Sequence, residues 1–419
     1  MKNVEIKPDV HWIGGIDWDL RDFHGYTTQR GTTYNSYLII DEKITVIDTV
    51  KHYMFDEMLA RLKTFIDPED IEYIISNHVE MDHSGSLPKL LKYAPNAKII
   101  TSTRGEKGLK RHYKQDWPFQ VVPSGSTLSI GKRKLHFVHI PMVHWPDSMV
   151  TYSPYDKILF PNDAFGQHIA SSQRFDDEFD WGILHEESAK YYANIVMPYG
   201  SQVKKALDSI TELDIDIIAP SHGIMWRSHI EQIIRQYQQW CQNKSDNKAV
   251  IIYDTMWGST KKIAYTLSQG IEEAGVPVSF LSLHNNHISD IITEILSAKL
   301  ILLGSPTLNN TMLPTMGGFL TYLKGLRPKN RIGFVFGSYG WGGQAVGEIE
   351  KILTDMSWEL PEKSININFV PDEGELDEIK NIGMRLGKIV KIIRGEKSVC
   401  VKIADVKRQG NPFNINVRV

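Results

Sequence analysis

The stretch Ile71-Glu72-Tyr73-Ile74-Ile75-Ser76-Asn77-His78-Val79-Glu80-Met81-Asp82-His83 decides how the first half of this chain folds. Its opening residues are rich in isoleucine and aromatic side chains and read as a strand. The strand then runs into four potential metal ligands, His78, Glu80, Asp82 and His83. At a strand end this spacing turns alternate side chains toward one point, and a bend after Asp82 brings His83 toward it as well. Imidazole and carboxylate suit borderline and hard metal ions, and a pair of ions needs more such groups than a single ion does.

Outward from this stretch, strands read at 10–16, 33–40, 44–49, 98–101, 134–141, 149–153 and 157–160, with helical patterns at 56–65 and 87–93. Such a mixture is a sheet with helices rather than a simple doubly wound array. His144, in His-Trp-Pro-Asp, follows one of these strands, and Asp163, in Pro-Asn-Asp-Ala, follows another. His222 follows a short buried strand at 215–220. Each taken alone reads as a structural residue, a loop histidine or a turn cap. At successive strand ends of one sheet they read together with His78, Glu80, Asp82 and His83 as one metal centre. Apolar residues recur at helical spacing from 175 to 213, and 232–247 reads as a polar helix followed by a linker.

After that linker the chain alternates regularly. Strands at 249–254, 278–282, 300–304, 331–336 and 367–370 are separated by helices at 261–274, 288–295, 315–324, 344–355 and 376–393, which argues a parallel sheet covered on both faces. The first strand ends in Thr255-Met256-Trp257-Gly258-Ser259-Thr260, the third in Gly304-Ser305-Pro306-Thr307-Leu308-Asn309, and the fourth in Gly337-Ser338-Tyr339-Gly340-Trp341-Gly342-Gly343. Ligands of open α/β sheets sit outside the carboxyl ends of strands at the switch in strand order, where these loops meet. A phosphate there meets a helix N-terminus and the hydroxyls of Thr255, Ser259 and Thr260. The bland alternative for the first loop alone is an ordinary Ser/Thr helix cap. No Gly-x-Gly-x-x-Gly follows the first strand, which disfavours a dinucleotide.

With 419 residues the chain exceeds what one hydrophobic core usually organises. The expected division is 1–246, 247–395 and a basic tail at 396–419, which reads as a solvated charged end before a docking arm. A net charge of −3, from 47 basic and 50 acidic residues, gives no general attraction to nucleic acid or an anionic membrane. No apolar tract suggests a membrane span, and the start, 1–10, has no apolar core, so the expected location is cytoplasmic. Cys241 and Cys400 are the two cysteines. A disulfide framework, a Cys-ligated iron-sulfur cluster and a four-Cys rubredoxin-type site all need more sulfur.

The order His78, Glu80, Asp82, His83, followed at a distance by His144, Asp163 and His222, resembles the metallo-β-lactamase fold, whose usual signature carries histidine where this chain has Glu80. A carboxylate there adds negative charge and favours iron over hydrolytic zinc. The His-x-Glu-x-Asp-His form resembles the flavodiiron proteins, also called A-type flavoproteins. That likeness spans roughly 10–393. It implies an α/β architecture, an N-terminal metallo-β-lactamase-like αββα domain followed by a flavodoxin-like doubly wound five-stranded parallel sheet. It makes His78, Glu80 and His144 ligands of one non-haem iron, His83, Asp82 and His222 ligands of the other, and Asp163 the bridge.

The three loops of the second half resemble the FMN site of flavodoxins. The flavin contacts implied are Thr255, Met256, Trp257, Gly258, Ser259 and Thr260, then Ser305, Pro306, Thr307 and Asn309, then Ser338, Tyr339, Gly340, Trp341, Gly342 and Gly343. Trp257 stands where a flavodoxin phosphate loop has its second hydroxyl. The activity implied is reduction of dioxygen to water at the diiron site with electrons from FMN, an oxygen-detoxifying role in an anaerobe. Reduction of nitric oxide to nitrous oxide is the alternative.

His24, Tyr192 and His168 are expected to supply protons around the irons, on resemblance and polarity, with plain packing as the competing reading. The same resemblance implies a head-to-tail homodimer, or a homotetramer made by doubling it; Trp145 and Trp341, aromatics beside glycine loops, read either as lining that junction or as plain packing. It also implies a separate donor, a rubredoxin-type protein or a reduced deazaflavin cofactor. The rival from another class is a zinc hydrolase with a flavodoxin-like appendage; a pure electron carrier would leave the metal ligands idle.

Overall fold

The computed structural model describes residues 4–392. Cys400 and the expected tail at 396–419 lie outside the described residues. The chain forms two compact units, one built from 4–192 and Tyr199–Cys241, the other from 242–392 and the short segment Ala193–Pro198. Among the described residues no helix is long and apolar enough to cross a membrane.

The first unit contains two sheets. One has the strand order Val4–Lys7, Val10–Trp12, Tyr37–Ile39, Ile44–Ile47, Ile71–Ile75, Lys98–Thr101, Phe119–Val121. The other runs Thr127–Ser129, Lys134–His139, Met149–Ser153, Ile158–Phe160, Ile217–Ile218. Period-two alternation sorts each strand's side chains between faces. In Ile71–Ile75, Tyr73 and Ile75 enter the core between the sheets beside Trp12, Phe137 and Phe160. Ile74 points the other way, under helices Phe55–Leu62, Leu87–Tyr93 and Thr103–Tyr113, where it joins Met58, Leu90 and Leu109. Helix, sheet, sheet, helix is the αββα plan that the family resemblance implied.

Differences from the sequence reading fall where signals are short. Phe119–Val121 and Thr127–Ser129 are strands too brief to read. Thr103–Tyr113 is so polar that it buries little more than Gly105 and Leu109, which left no apolar period. The helical region expected over 175–213 is broken into Trp181–Tyr191 and Gly200–Ile210, joined by a wide turn at Tyr192–Val196 and a tight one at Met197–Tyr199.

In the second unit the parallel order is Val278–Ser282, Asp246–Tyr253, Ala298–Leu308, Ile332–Tyr339, Ile365–Asn368, with a short antiparallel spur, Thr311–Met312, on the long third strand. The central strands are buried on both faces, so they read as continuous aliphatic runs. The first strand begins at Asp246, leaving residues 242–245 where a longer linker was expected. The last strand lies two residues earlier than its aliphatic pattern suggested and ends where Phe369 turns left-handed (φ 59°).

Helices Ser259–Glu273 and Glu373–Ile392 share one face of this sheet and touch backbone to backbone. A Cβ on Gly270 would lie 2.1 Å from the carbonyl oxygen of Lys380, and one on Gly383 would lie 2.5 Å from that of Leu267. Gly270→Ala must push the helices apart and should destabilise by about 1–3 kcal/mol. Gly347→Ala, on a helix where the added carbon meets nothing within 4 Å, should be neutral or stabilise by up to about 1 kcal/mol. Thermal unfolding of both variants checks the contact.

Candidate functional site

Four strand ends converge at one edge of the first unit. The first sheet delivers 78–83 after Ile71–Ile75; the second delivers His144, Asp163 and His222 after Lys134–His139, Ile158–Phe160 and Ile217–Ile218. The side chains sort into two groups, His78 with Glu80, His144 and Asp163, and Asp82 with His83 and His222. Asp163 lies between them. Its Oδ2 is 3.5 Å from His78 Nε2 and 3.2 Å from His144 Nε2, while its Oδ1 is 2.9 Å from His83 Nε2 and 3.5 Å from His222 Nε2. Glu80 Oε2 closes the first group at 3.3 Å from His78 Nε2 and 3.4 Å from His144 Nε2. Asp82 Oδ2 closes the second at 3.1 Å from His222 Nε2 and 3.3 Å from His83 Nε2.

These groups fit cations better than they fit one another. Both oxygens of Asp163, Asp82 Oδ1 and both ring nitrogens of His83 are buried with no hydrogen bond of acceptable geometry, although nitrogen and oxygen stand within 3.5 Å. Leaving a buried polar atom unpaired costs about 1–3 kcal/mol, a cost that shared cations remove. Against the burial that opposes their charge, the surrounding imidazoles hold Glu80 and Asp163 well below the usual carboxylate range. Three carboxylates around four imidazoles make a hard, anionic donor set.

The outer nitrogens of two ligands are fixed by partners the sequence did not reveal. His78 Nδ1 donates to Asp147 Oδ2 at 3.0 Å, and the same oxygen accepts from the Val79 N–H at 2.8 Å. His222 Nδ1 donates to the Thr33 carbonyl at 2.7 Å. Each bond assigns the tautomer that aims a bare Nε2 at the cluster. The motif His-Trp-Pro-Asp already contained Asp147, so its signal was a carboxylate three residues after a ligand histidine. The Asp163 loop is held taut: Asn162 and Phe165 adopt left-handed backbone (φ 52° and 65°). Phe165 is pinned through its N–H to the Tyr237 hydroxyl at 2.8 Å and through its carbonyl to Trp226 Nε1 at 2.9 Å.

Of the residues expected around the centre, His24 places Nε2 3.0 Å from Glu80 Oε1, and that bond holds its imidazolium above the ordinary value. His168 is fully buried, with Nδ1 2.8 Å from Thr32 Oγ1 and its ring 4.8 Å from that of His222; burial, aided by His222, keeps it well below the ordinary imidazole value and therefore neutral. Tyr192 requires a correction. It packs between Tyr237 and Trp240, each 5.1 Å away. Its neighbour Tyr191 faces the centre, 5.2 Å from His168 and 6.1 Å from His222, because successive helical side chains diverge by about 100°. Trp145 stacks its edge on His78 at 5.2 Å.

In the second unit the loops after the first, third and fourth strands bound a cleft of about 670 Å³, the size of a small-molecule site. Met256, Trp257, Ser259, Pro306, Thr307, Asn309, Ser338, Tyr339, Gly340, Trp341 and Gly342 line it, joined by Leu308, Asn310, Phe369 and Val370, which the sequence reading did not include. Thr255, Gly258, Thr260, Ser305 and Gly343 stand behind the wall. Thr255 Oγ1 accepts from Gly258 N at 3.1 Å, Thr260 Oγ1 pairs with Ser338 Oγ at 2.9 Å, Ser305 Oγ accepts from Leu313 N at 3.0 Å, and the Gly343 carbonyl accepts from Asn366 Nδ2 at 2.9 Å. The free N–H groups of helix Ser259–Glu273 open beside Ser259, where a phosphate fits the dipole. Trp257 and Trp341 stand 94% and 95% exposed at the rim, apolar surfaces suited to a planar ring system.

The Asp147 contacts yield a test within the first unit. Asp147→Ala frees His78 to rotate and should weaken metal affinity by roughly 10–100-fold, measured by competition with a chelator, while flavin content stays unchanged.

Residues 32–223 match the family described as ODP family beta lactamase, and residues 251–383 match flavodoxin. A nitric oxide reductase of Moorella thermoacetica is 44% identical over 91% of this chain and 98% of its own length. Among solved structures, rubredoxin oxygen:oxidoreductase from the anaerobe Desulfovibrio gigas superposes with a TM-score of 0.92 at 39% identity, covering 94% of this chain and all of that one. The flavodiiron protein of Giardia intestinalis gives 0.91 at 35% identity, over 94% and 97% of the two chains. With both domains matched in order and a metal centre of the required composition, this chain belongs to the flavodiiron protein family.

Proposed function

We propose that this oxidoreductase reduces dioxygen to water at a diiron site served by FMN. The observation that carries this reading is the single carboxylate of Asp163 facing one imidazole-carboxylate group with each oxygen. His78, Glu80 and His144 would hold one iron, Asp82, His83 and His222 the other, with Asp163 shared; the cleft lined by Trp257, Ser259, Tyr339 and Trp341 would hold FMN. When bound, the irons supply redox-active Lewis-acid positions and the flavin supplies stored electrons.

The chain's own groups do the rest. His24 Nε2 keeps a proton at Glu80 Oε1 on the side of the centre nearest solvent, since most of its side chain is exposed. His168, neutral and tied to Thr32, presents an unpaired Nε2 inside. The rings of Phe23, Tyr34 and Tyr191 pack on His222 and exclude water from that side. Nitric oxide is the second reading, favoured by the identity to the Moorella nitric oxide reductase, 44% against 40% for a rubredoxin-oxygen oxidoreductase of Megalodesulfovibrio gigas.

A separate electron donor completes the proposal, because two cysteines cannot build a rubredoxin iron site within the chain. A rubredoxin-type protein is favoured by the name of the Desulfovibrio relative, with a reduced deazaflavin as the other candidate. The exposed aromatic rim of the flavin cleft suits coverage by a protein surface, in keeping with a head-to-tail homodimer or its doubled tetramer. A cytoplasmic setting goes with a reductase fed by a soluble carrier.

Metal analysis of the purified protein should give about two irons per chain; zinc alone would revive the hydrolase reading. Glu80→Ala should lower iron occupancy and turnover with flavin retained. In anaerobic stopped-flow, the reduced protein should be reoxidised faster by dioxygen than by nitric oxide; comparable rates would overturn the preference for oxygen.

A further inference from the structure

We propose that a small apolar cavity behind the ligand loops admits and holds the diatomic gas before it reaches the metal centre. The proposal rests on the reading of the chain as a gas reductase. The cavity lies in the first unit, where Val150 and Leu159 of the second sheet face Val203 and Leu207 of helix Gly200–Ile210. Its far wall includes Val143 and Ala164, the immediate chain neighbours of His144 and Asp163. In each of two loops a lining residue is therefore directly followed or preceded by a ligand.

The lining is hydrocarbon apart from Tyr237, whose hydroxyl is engaged with the Phe165 N–H at 2.8 Å. A water molecule needs two to four polar partners, and an apolar cavity without them stays dry and takes up apolar guests. The volume, about 20 Å³, accommodates one small guest and excludes an organic substrate. Of the residues around it, Ala206 alone is not fully buried, which makes it the wall nearest solvent. On the other side of the centre the approach is polar, through the exposed imidazole of His24 on Glu80. The metal site thus has two approaches of opposite polarity. Dioxygen and nitric oxide, nearly nonpolar, partition into the dry one, and protons and product water are left to the wet one.

The test uses the iron- and flavin-loaded full-length protein. Crystals pressurised with xenon should show the atom between Leu159 and Leu207. Ala206→Trp, which fills the cavity from its least buried wall, should abolish xenon uptake and raise KM for dioxygen roughly tenfold at unchanged kcat and iron content. Leu207→Ala, which widens the cavity, should increase xenon occupancy and lower KM, and it keeps the test available if the tryptophan variant fails to fold. Absence of xenon from the active wild-type protein, or wild-type KM in either variant, overturns the cavity's role and leaves the reductase reading standing. Xenon uptake by a protein that reduces neither gas sinks the reductase reading and, with it, the assignment of the guest.

Discussion

Everything in the first unit is arranged around one buried carboxylate. Asp163 turns its two oxygens toward two separate groups of imidazoles, and neither oxygen finds a hydrogen bond. An isolated carboxylate in such a place would be expelled or protonated. It stays anionic because four strand ends, drawn from two sheets, bring histidines to it from both sides. The αββα sandwich is what makes that possible: sheets stacked face to face open their loops at a common edge, so ligands far apart in sequence become neighbours without a long excursion of the chain.

Much of this was legible in the sequence, and the reason is geometric. Ligands at strand ends carry their own address, since the aliphatic run before them marks a strand and the polar cluster marks its end. His78, Glu80, Asp82, His83, His144, Asp163 and His222 were therefore readable as one centre, and the structure brings them together. The glycine-rich loops of the second unit were readable on the same ground, and most of their residues line the cleft. What stayed hidden depends on side-chain direction or on contacts across the sandwich. Tyr191 and Tyr192 are adjacent and alike, and only the helical phase decides which faces His168. The partner of His222 is a backbone carbonyl, at Thr33, and a carbonyl leaves no trace in residue identity. Thr260 and Ser338 satisfy each other, a pairing between a helix and a strand 78 residues apart that no local pattern announces. Phe369 and Val370 reached the cleft because the last strand ends two residues before its pattern suggested.

The two units divide the chemistry by the polarity of what they hold. The first surrounds charge with buried charge and tolerates little solvent. The second leaves large aromatic rings in the open at the mouth of its cleft, where a flat apolar guest covers them and a helix N-terminus supplies the one anionic requirement. Among the described residues the candidate ligands all belong to the first unit and the cleft lining to the second, so each site can be altered by substitution on its own.

The taut loop at Asn162 and Phe165 bears on metal identity. A left-handed phenylalanine is conformationally expensive, yet it is clamped from both sides by Tyr237 and Trp226, so the carboxylate is aimed before any ion arrives. A receptacle shaped in advance discriminates by donor chemistry and fit rather than by folding around its guest. Here that chemistry is three carboxylates among four imidazoles, the anionic set that suits iron, so a fixed loop turns a choice of residues into a choice of metal.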